Sequence, residues 1–484
     1  MVDRAGRKTC PVAFCRFSGV PMTDAEPAPS LLAPGLILLL IACWLGGGVT
    51  VDPGPMDEWL QLLALPLLAL AAWHLSRQSA GGGLQRPAML ALVLIALVPL
   101  LQLLPLPSGW WSGVQPRRAL AGDLQVAGVE ALSTRWSLAP AATEAALWAL
   151  LPAMAAFLAA VSLQQVAHRR LVVKAVLLLV LANVLFAFFQ AGLPIDSRLR
   201  LYPDSPGGFG GLLANTNHMA TALIIGMVLA AGQAVHAWRR HALGRAGQAT
   251  WLVYAAFAVA CFLLLPLSTS RAGMVLALPA LIAVLVLTGA LSVRRAWRSK
   301  WTAALMLLAV VVVAVGVHAA LGWMAIDRAE ELRHLVAGAT VDMARAHAPF
   351  GSGVGSFVEV FEQAAPPSLW LSAYVNHAHN EYVQWWLEAG WLGMLALAAS
   401  LIAVALAGWR IACARVRDGN VILAASCFVA VCAVLAHSAV DYPLRTTTLM
   451  ATAAALAGLM LAALADARVR IRISPSDVER SSPR

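Results

Sequence analysis

Charge is scarce in this chain: only 12% of its 484 residues are Asp, Glu, Lys or Arg, and 60% are hydrophobic. Such a composition excludes an ordinary globular protein. Metal-binding cysteine patterns are also missing. The seven cysteines (Cys10, Cys15, Cys43, Cys261, Cys413, Cys427 and Cys432) show no metal-ligand spacing. None lies in a segment assigned below to the outside, which argues against a disulfide framework. No internal repeat stands out, and no cleavable signal is needed because the first apolar run can act as an uncleaved anchor. The net charge of +10 could suggest a nucleic-acid partner. Its distribution argues otherwise, because the basic residues cluster in short loops between apolar runs.

What is present is a succession of long apolar runs. Backbone groups in hydrocarbon must satisfy one another, and these runs are too long and uniform for barrel strands. They predict an all-α, polytopic helical bundle embedded in a lipid bilayer. About twelve spans are expected, near residues 31–49, 59–76, 87–106, 142–163, 171–190, 212–235, 250–267, 273–292, 301–321, 383–408, 421–438 and 446–464. An even number puts both termini on one side. If that side is cytoplasmic, the inner loops and tails hold 24 of the 34 Lys and Arg residues, as the positive-inside rule requires. Residues 1–30 then form a cytoplasmic tail, in which Met22 is an alternative start. Residues 31–465 form the membrane domain, and residues 466–484 a second cytoplasmic tail.

The outer loops are unequal. Residues 107–141 carry a Trp110-Trp111 pair that reads as an interfacial anchor. Residues 322–382 form the largest loop. It opens with an amphipathic stretch from Ile326 to Ala346, and loops this long are usually functional. Gly351-Ser-Gly-Val-Gly-Ser356 has neither the preceding strand nor the lysine of a nucleotide loop, and reads as a turn that lets backbone approach closely.

Ionisable groups at the mouth of a bundle are functional candidates by default. Arg271, in a very short outer connection, has a planar fork suited to phosphate oxygens; the alternative is an arginine snorkelling from a helix end. Its outer placement favours ligand binding. Arg198 and Arg200 could form a second phosphate clamp or a solvated face. Asn215 and Asn217 open a helix that one of them should cap, with His218 just inside the bundle mouth, facing lipid or a cavity. His377 and His379 stand two residues apart with no third outer ligand at helical spacing, a weak metal pattern. A general base is the better reading, although His377 could simply be bonded at a helix N-terminus. Asn380 follows. Asp441 and Arg445 could pair with each other across the last outer turn; equally, Asp441 could orient a catalytic group and Arg445 a phosphate.

Five segments, in order, resemble the O-antigen ligase superfamily of O-antigen ligases, glycan-chain polymerases and O-linking oligosaccharyltransferases. His379-Asn380, nine residues, then Gly390-Trp-Leu-Gly393 fits that family's signature. Ser270-Arg-Ala-Gly273 resembles its arginine-bearing connection, and the segment from Phe209 to Met219 its Asn-x-Asn-His segment. The stretches from Pro349 to Phe357 and from His437 to Asp441 recur at matching places. The resemblance implies a GT-C-like, metal-independent glycosyltransferase without cofactor, working at the periplasmic face of a bacterial inner membrane. Its donor would be a glycan on undecaprenyl diphosphate and its acceptor a lipid A-core sugar, a growing glycan chain or, least expected, a protein. His379 would deprotonate the acceptor hydroxyl and Arg271 would hold the leaving diphosphate, with Arg198 or Arg200 as possible helpers. Asn217, His218, His377, Asn380, Asp441 and Arg445 would line the same site. A transporter or flippase of lipid-linked glycan is the alternative; it would spread charges and broken helices through the membrane rather than gather polar groups at one face.

Overall fold

The structure, a computed structural model, describes residues 31–49, 56–77, 83–112, 115–128, 135–194, 196–202, 208–291, 328–370 and 375–472. Among these no β-strand forms, and nine helices are long and apolar enough to cross a membrane. They are α2 (Asp57–Arg77), α3 (Gln85–Gln102), α6 (Pro140–Val161), α7 (Val166–Ala191), α8 (Thr216–Ala242), α9 (Gln248–Leu264, extended by one tight turn to Ser268), α13 (Glu381–Ala412), α14 (Gly419–His437) and α15 (Thr447–Arg472). Two shorter apolar helices, α1 (Leu32–Gly46) and α10 (Arg271–Leu287), occupy two further expected spans. The span expected at 301–321 lies outside the described residues. The remaining helices are short or amphipathic: α4 (Ser108–Trp111), α5 (Gln115–Val126), α11 (Arg328–Ala346) and α12 (Phe357–Ala364).

The bundle is built around α8, which is buried along almost its whole length and packs against α9, α10 and α14. Helix α15 joins this centre to α6, and α6 in turn packs on α1, α2 and α3. Large apolar side chains on α7, α9 and the part of α13 after Gly390 remain exposed, as a lipid-facing surface requires. Polar side chains tie helices far apart in sequence: Trp44 Nε1 donates to Thr452 Oγ1 at 3.1 Å inside the core.

Helix α13 changes course at Gly390, whose φ of 60° and ψ of −157° interrupt the helical path. The freed backbone groups there are taken up by the 349–356 loop. Trp391 N donates to Pro349 O, Ser352 N to Leu387 O, and Gly353 N to Glu388 O, all at 2.8–2.9 Å. Gln102 at the end of α3 joins the same seam, its amide donating to Glu388 O and accepting from Val354 N. The loop is therefore a close backbone approach, as its composition suggested, and its bonds close the break.

The outer segment before α6 packs over this loop. Arg117 donates to Trp136 O and Gly351 O, and Trp136 Nε1 donates to Phe350 O. Trp111 was expected at the membrane interface. It is instead buried, with Nε1 donating to Arg135 O. A long-range partner that its local sequence does not reveal captures the ring.

At the other end of the bundle the basic connections gather. Arg170 meets His236, Arg239 donates to Arg417 O and Thr288 O, and Arg169 pairs with Asp466.

Candidate functional site

Three chain segments are bolted together at the end of the bundle where α8, α10 and α13 begin. Asn380 caps α13, its side-chain oxygen accepting from Tyr382 N and Val383 N at 3.1 and 3.2 Å. Glu381 then grips the turn between α14 and α15: its N–H donates to Ser438 O, and its carboxylate accepts from Leu444 N at 2.6 Å. Tyr382 Oη donates to Leu435 O, adding a third tie. Asn215 caps α8 through Asn217 N, and its amide nitrogen donates to Tyr442 Oη at 3.3 Å. These bonds fix where Asp441 and Tyr442 stand relative to the histidines.

Asp441 is 1% exposed and has a histidine on each side. His379 Nδ1 lies 3.7 Å from Oδ1, and His218 Nε2 lies 3.5 Å from Oδ2. His379 remains 22% exposed, whereas His218 is wholly buried. The rings of His218, His377 and His379 surround Tyr442, with centroids 5.3, 4.4 and 5.0 Å from it. Burial by itself would raise the pKa of the Asp441 carboxyl, but the approach of His379 Nδ1 and the neighbouring charges of His218, His437 and His379 outweigh it and hold the group below its usual value. Burial, then the Asp441 charge, pushes the Tyr442 phenol up, so its hydroxyl keeps its proton.

His379 has a φ of 52°, in the left-handed region that few residues with a side chain adopt. Strain of this kind persists only where the surroundings over-determine it, and such positions cluster at functional sites. Here the capped start of α13 on one side and buried His377 on the other leave the intervening turn little choice.

Around this centre lies a second chain of contacts. Gln384 donates to Glu388 Oε1 at 2.9 Å, contacts His377 Nδ1 at 3.3 Å, and accepts from Ala378 N. Glu388, fully buried, pairs through Oε2 with Arg445 Nη2 at 2.9 Å. Asp441 and Arg445 therefore do not close a private pair: the carboxylate serves the histidines and the arginine serves Glu388. Glu388 and Gln384 escaped the sequence reading because they sit inside the nine-residue interval of the signature, where they passed for spacing. An acidic residue within an apolar run was the available signal.

Arg271 is half-buried in the first turn of α10, directly after Ser270, whose hydroxyl caps the helix through Gly273 N. Gly273 lies so close to α8 that a Cβ there would meet Ala220 Cβ at 2.5 Å. The close crossing brings Arg271 to the head of α8, where Asn217 and His218 stand. The other two arginines are placed differently. Arg200 donates to Pro194 O and Leu193 O at 2.8 and 2.6 Å, stapling its own loop, and Arg198 is exposed. Among the described residues no group of three or more His, Cys, Asp or Glu side chains is arranged to hold a metal ion.

Residues 255–398 match the family model described as O-antigen ligase. That segment, 144 of the chain's 484 residues, is similar to the O-antigen ligase family. The matched segment runs from within α9 to the middle of α13 and includes Arg271, His379 and the break at Gly390. His218, Asp441 and Arg445 lie outside it, yet the fold returns all three to the same end of the bundle. No curated protein matches the chain.

Proposed function

We propose that this chain is a membrane glycosyltransferase of the O-antigen ligase family. In this reading it moves or polymerises a glycan from undecaprenyl diphosphate onto an acceptor hydroxyl at the periplasmic face of a bacterial inner membrane. The observation that carries the reading is the pairing of partly exposed His379 with buried Asp441. A carboxylate on Nδ1 fixes the imidazole tautomer and supports the positive charge that develops when Nε2 takes a proton. The contact is longer than a formed hydrogen bond, as is common for catalytic pairs before substrate tightens them.

In the proposed reaction the acceptor hydroxyl gives its proton to His379 Nε2 as its oxygen attacks the anomeric carbon. A new glycosidic bond forms, the bond from that carbon to the diphosphate oxygen breaks, and the configuration inverts. Undecaprenyl diphosphate leaves with the bonding electron pair. Negative charge grows on the leaving group, so a fixed guanidinium close to it lowers the barrier. Arg271 is assigned that role. Asn380 and Glu381 keep the base in place, and the Glu388–Arg445 pair holds the turn that bears Asp441.

The orientation rests on charge. The end with Arg169, Arg170, Arg239 and Arg417 lies opposite the His379 end and would face the cytoplasm with both termini.

The test is rescue of a deletion strain by wild type and His379→Ala, profiling lipopolysaccharide, secreted polysaccharide and lipid-linked glycan together. Failure of His379→Ala with accumulation of lipid-linked glycan is the expected result. Accumulated single repeats would identify a polymerase and full-length chains a ligase. Full rescue would remove the base and bring the transporter reading forward.

A further inference from the structure

His218 is out of reach of any substrate: it is fully buried beside Asp441, with the Tyr442 ring edge-on against it. We infer that His218 is a positioning residue, holding Asp441 Oδ2 so that Oδ1 stays aimed at His379 Nδ1. The inference rests on the reading of His379 as the base and adds a residue to it.

Rotation of a carboxylate about its last side-chain torsion is soft. A single donor leaves that rotation open, whereas donors on both oxygens fix the plane. Two buried histidines neighbour the carboxylate's turn. His437 Nδ1 meets Thr221 Oγ1 at 2.7 Å, whereas His218 places Nε2 3.5 Å from Asp441 Oδ2. His218 is therefore the histidine assigned to Oδ2. The capped first turn of α8 sets its height, and α14 and the Tyr442 ring wall it in.

Other charged and polar groups surround the Asp441 carboxylate. Glu381 faces it from α13, Arg333 on α11 acts on His437 and Tyr442, and His437 and Tyr442 flank it in the turn.

Diethylpyrocarbonate tests the inference without any substrate, because it acylates only unprotonated imidazole. The full-length protein in nanodiscs is treated at pH 6, and modification of His379 is followed by mass spectrometry. In His218→Leu and His218→Asn the carboxylate is free to turn, Oδ1 leaves His379 Nδ1, and the rate should rise by ~3-fold or more. His218→Gln, whose longer amide can still donate, should bring it most of the way back. If His218→Leu fails to insert, the contrast between the Asn and Gln variants decides the matter. Wild-type rates in both would overturn the inference. Transfer by each variant in the complemented strain separates the two failures. Activity in His379→Ala would overturn the base itself, whereas an inactive His379→Ala alongside a fully wild-type His218→Asn would overturn the positioning role alone.

Discussion

Arg445 Nη2 and Glu388 Oε2 meet at 2.9 Å, joining the turn before α15 to the break in α13. The carboxylate is fully buried, and its other oxygen is held by Gln384. Removing one partner from such a pair leaves an uncompensated buried charge, which costs about 3–5 kcal/mol. Arg445→Ala should therefore lower the thermal midpoint in detergent sharply. Adding Glu388→Gln to it should recover much of the loss, and equal midpoints for the single and double variants would show that the pair is not coupled.

Gly390→Ala is expected to be among the most damaging single-methyl changes in the chain. With φ at 60°, the added Cβ would run into Pro349 O, Phe350 C and Gly351 N, all backbone atoms that cannot swing aside. The 349–356 loop would have to leave the helix break, exposing Leu387 O and Glu388 O. Limited proteolysis should cut that loop at least ~10-fold faster than in wild type, in line with a local loss of more than 1.4 kcal/mol.

The pH dependence of stability follows from Asp441. Its carboxyl is held below its ordinary value in the fold, so on acidification the unfolded chain binds the proton first. The stability it contributes is present above the unfolded value of about 3.9 and is lost as pH falls through the lower folded value. Asp441→Asn should thus be less stable than wild type at neutral pH. The gap should shrink below about pH 4, as urea or thermal melts across pH 3–7 would show. A gap that stays constant to pH 3 would mean that the ionised carboxylate is not what stabilises this turn.

Arg271→Ala should insert normally, because the Ser270 cap and the Gly273 contact do not involve the guanidinium. Glycan transfer should nevertheless fall by ~100-fold or more, the scale of losing a fixed group that stabilises developing charge. Arg271→Lys should recover part of it, since a point charge replaces a fork. Wild-type transfer in Arg271→Ala would exclude this arginine from the site.

Much of this architecture was legible in the chain itself. Apolar runs of membrane length revealed the bundle, because backbone in hydrocarbon leaves few alternatives. The glycines between Phe350 and Ser356 announced a close backbone approach. The choice between a cap and a ligand at Asn215 and Asn217 was open locally, and the structure makes Asn215 the cap. What stayed hidden was pairing over distance. Nothing near Arg445 in sequence points to Glu388, 57 positions earlier. Nothing near Trp111 reveals that Arg135 will claim it. His218 could have faced lipid or a cavity, and only the packing of α14 and the turn after it enclosed the ring.

The break at Gly390 gives the segment before it the character of a ruler. Nine residues separate the cap at Asn380 from the change of course, about two and a half helical turns. Both ends of the interval are pinned, one by Ser438 and Leu444, the other by the 349–356 loop. Adding or deleting one residue between them would rotate Glu388 by about 100° away from Arg445. The interval is thus a dimension of the site as real as any bond in it: it sets how far His379 stands above the point where the membrane helix proper begins.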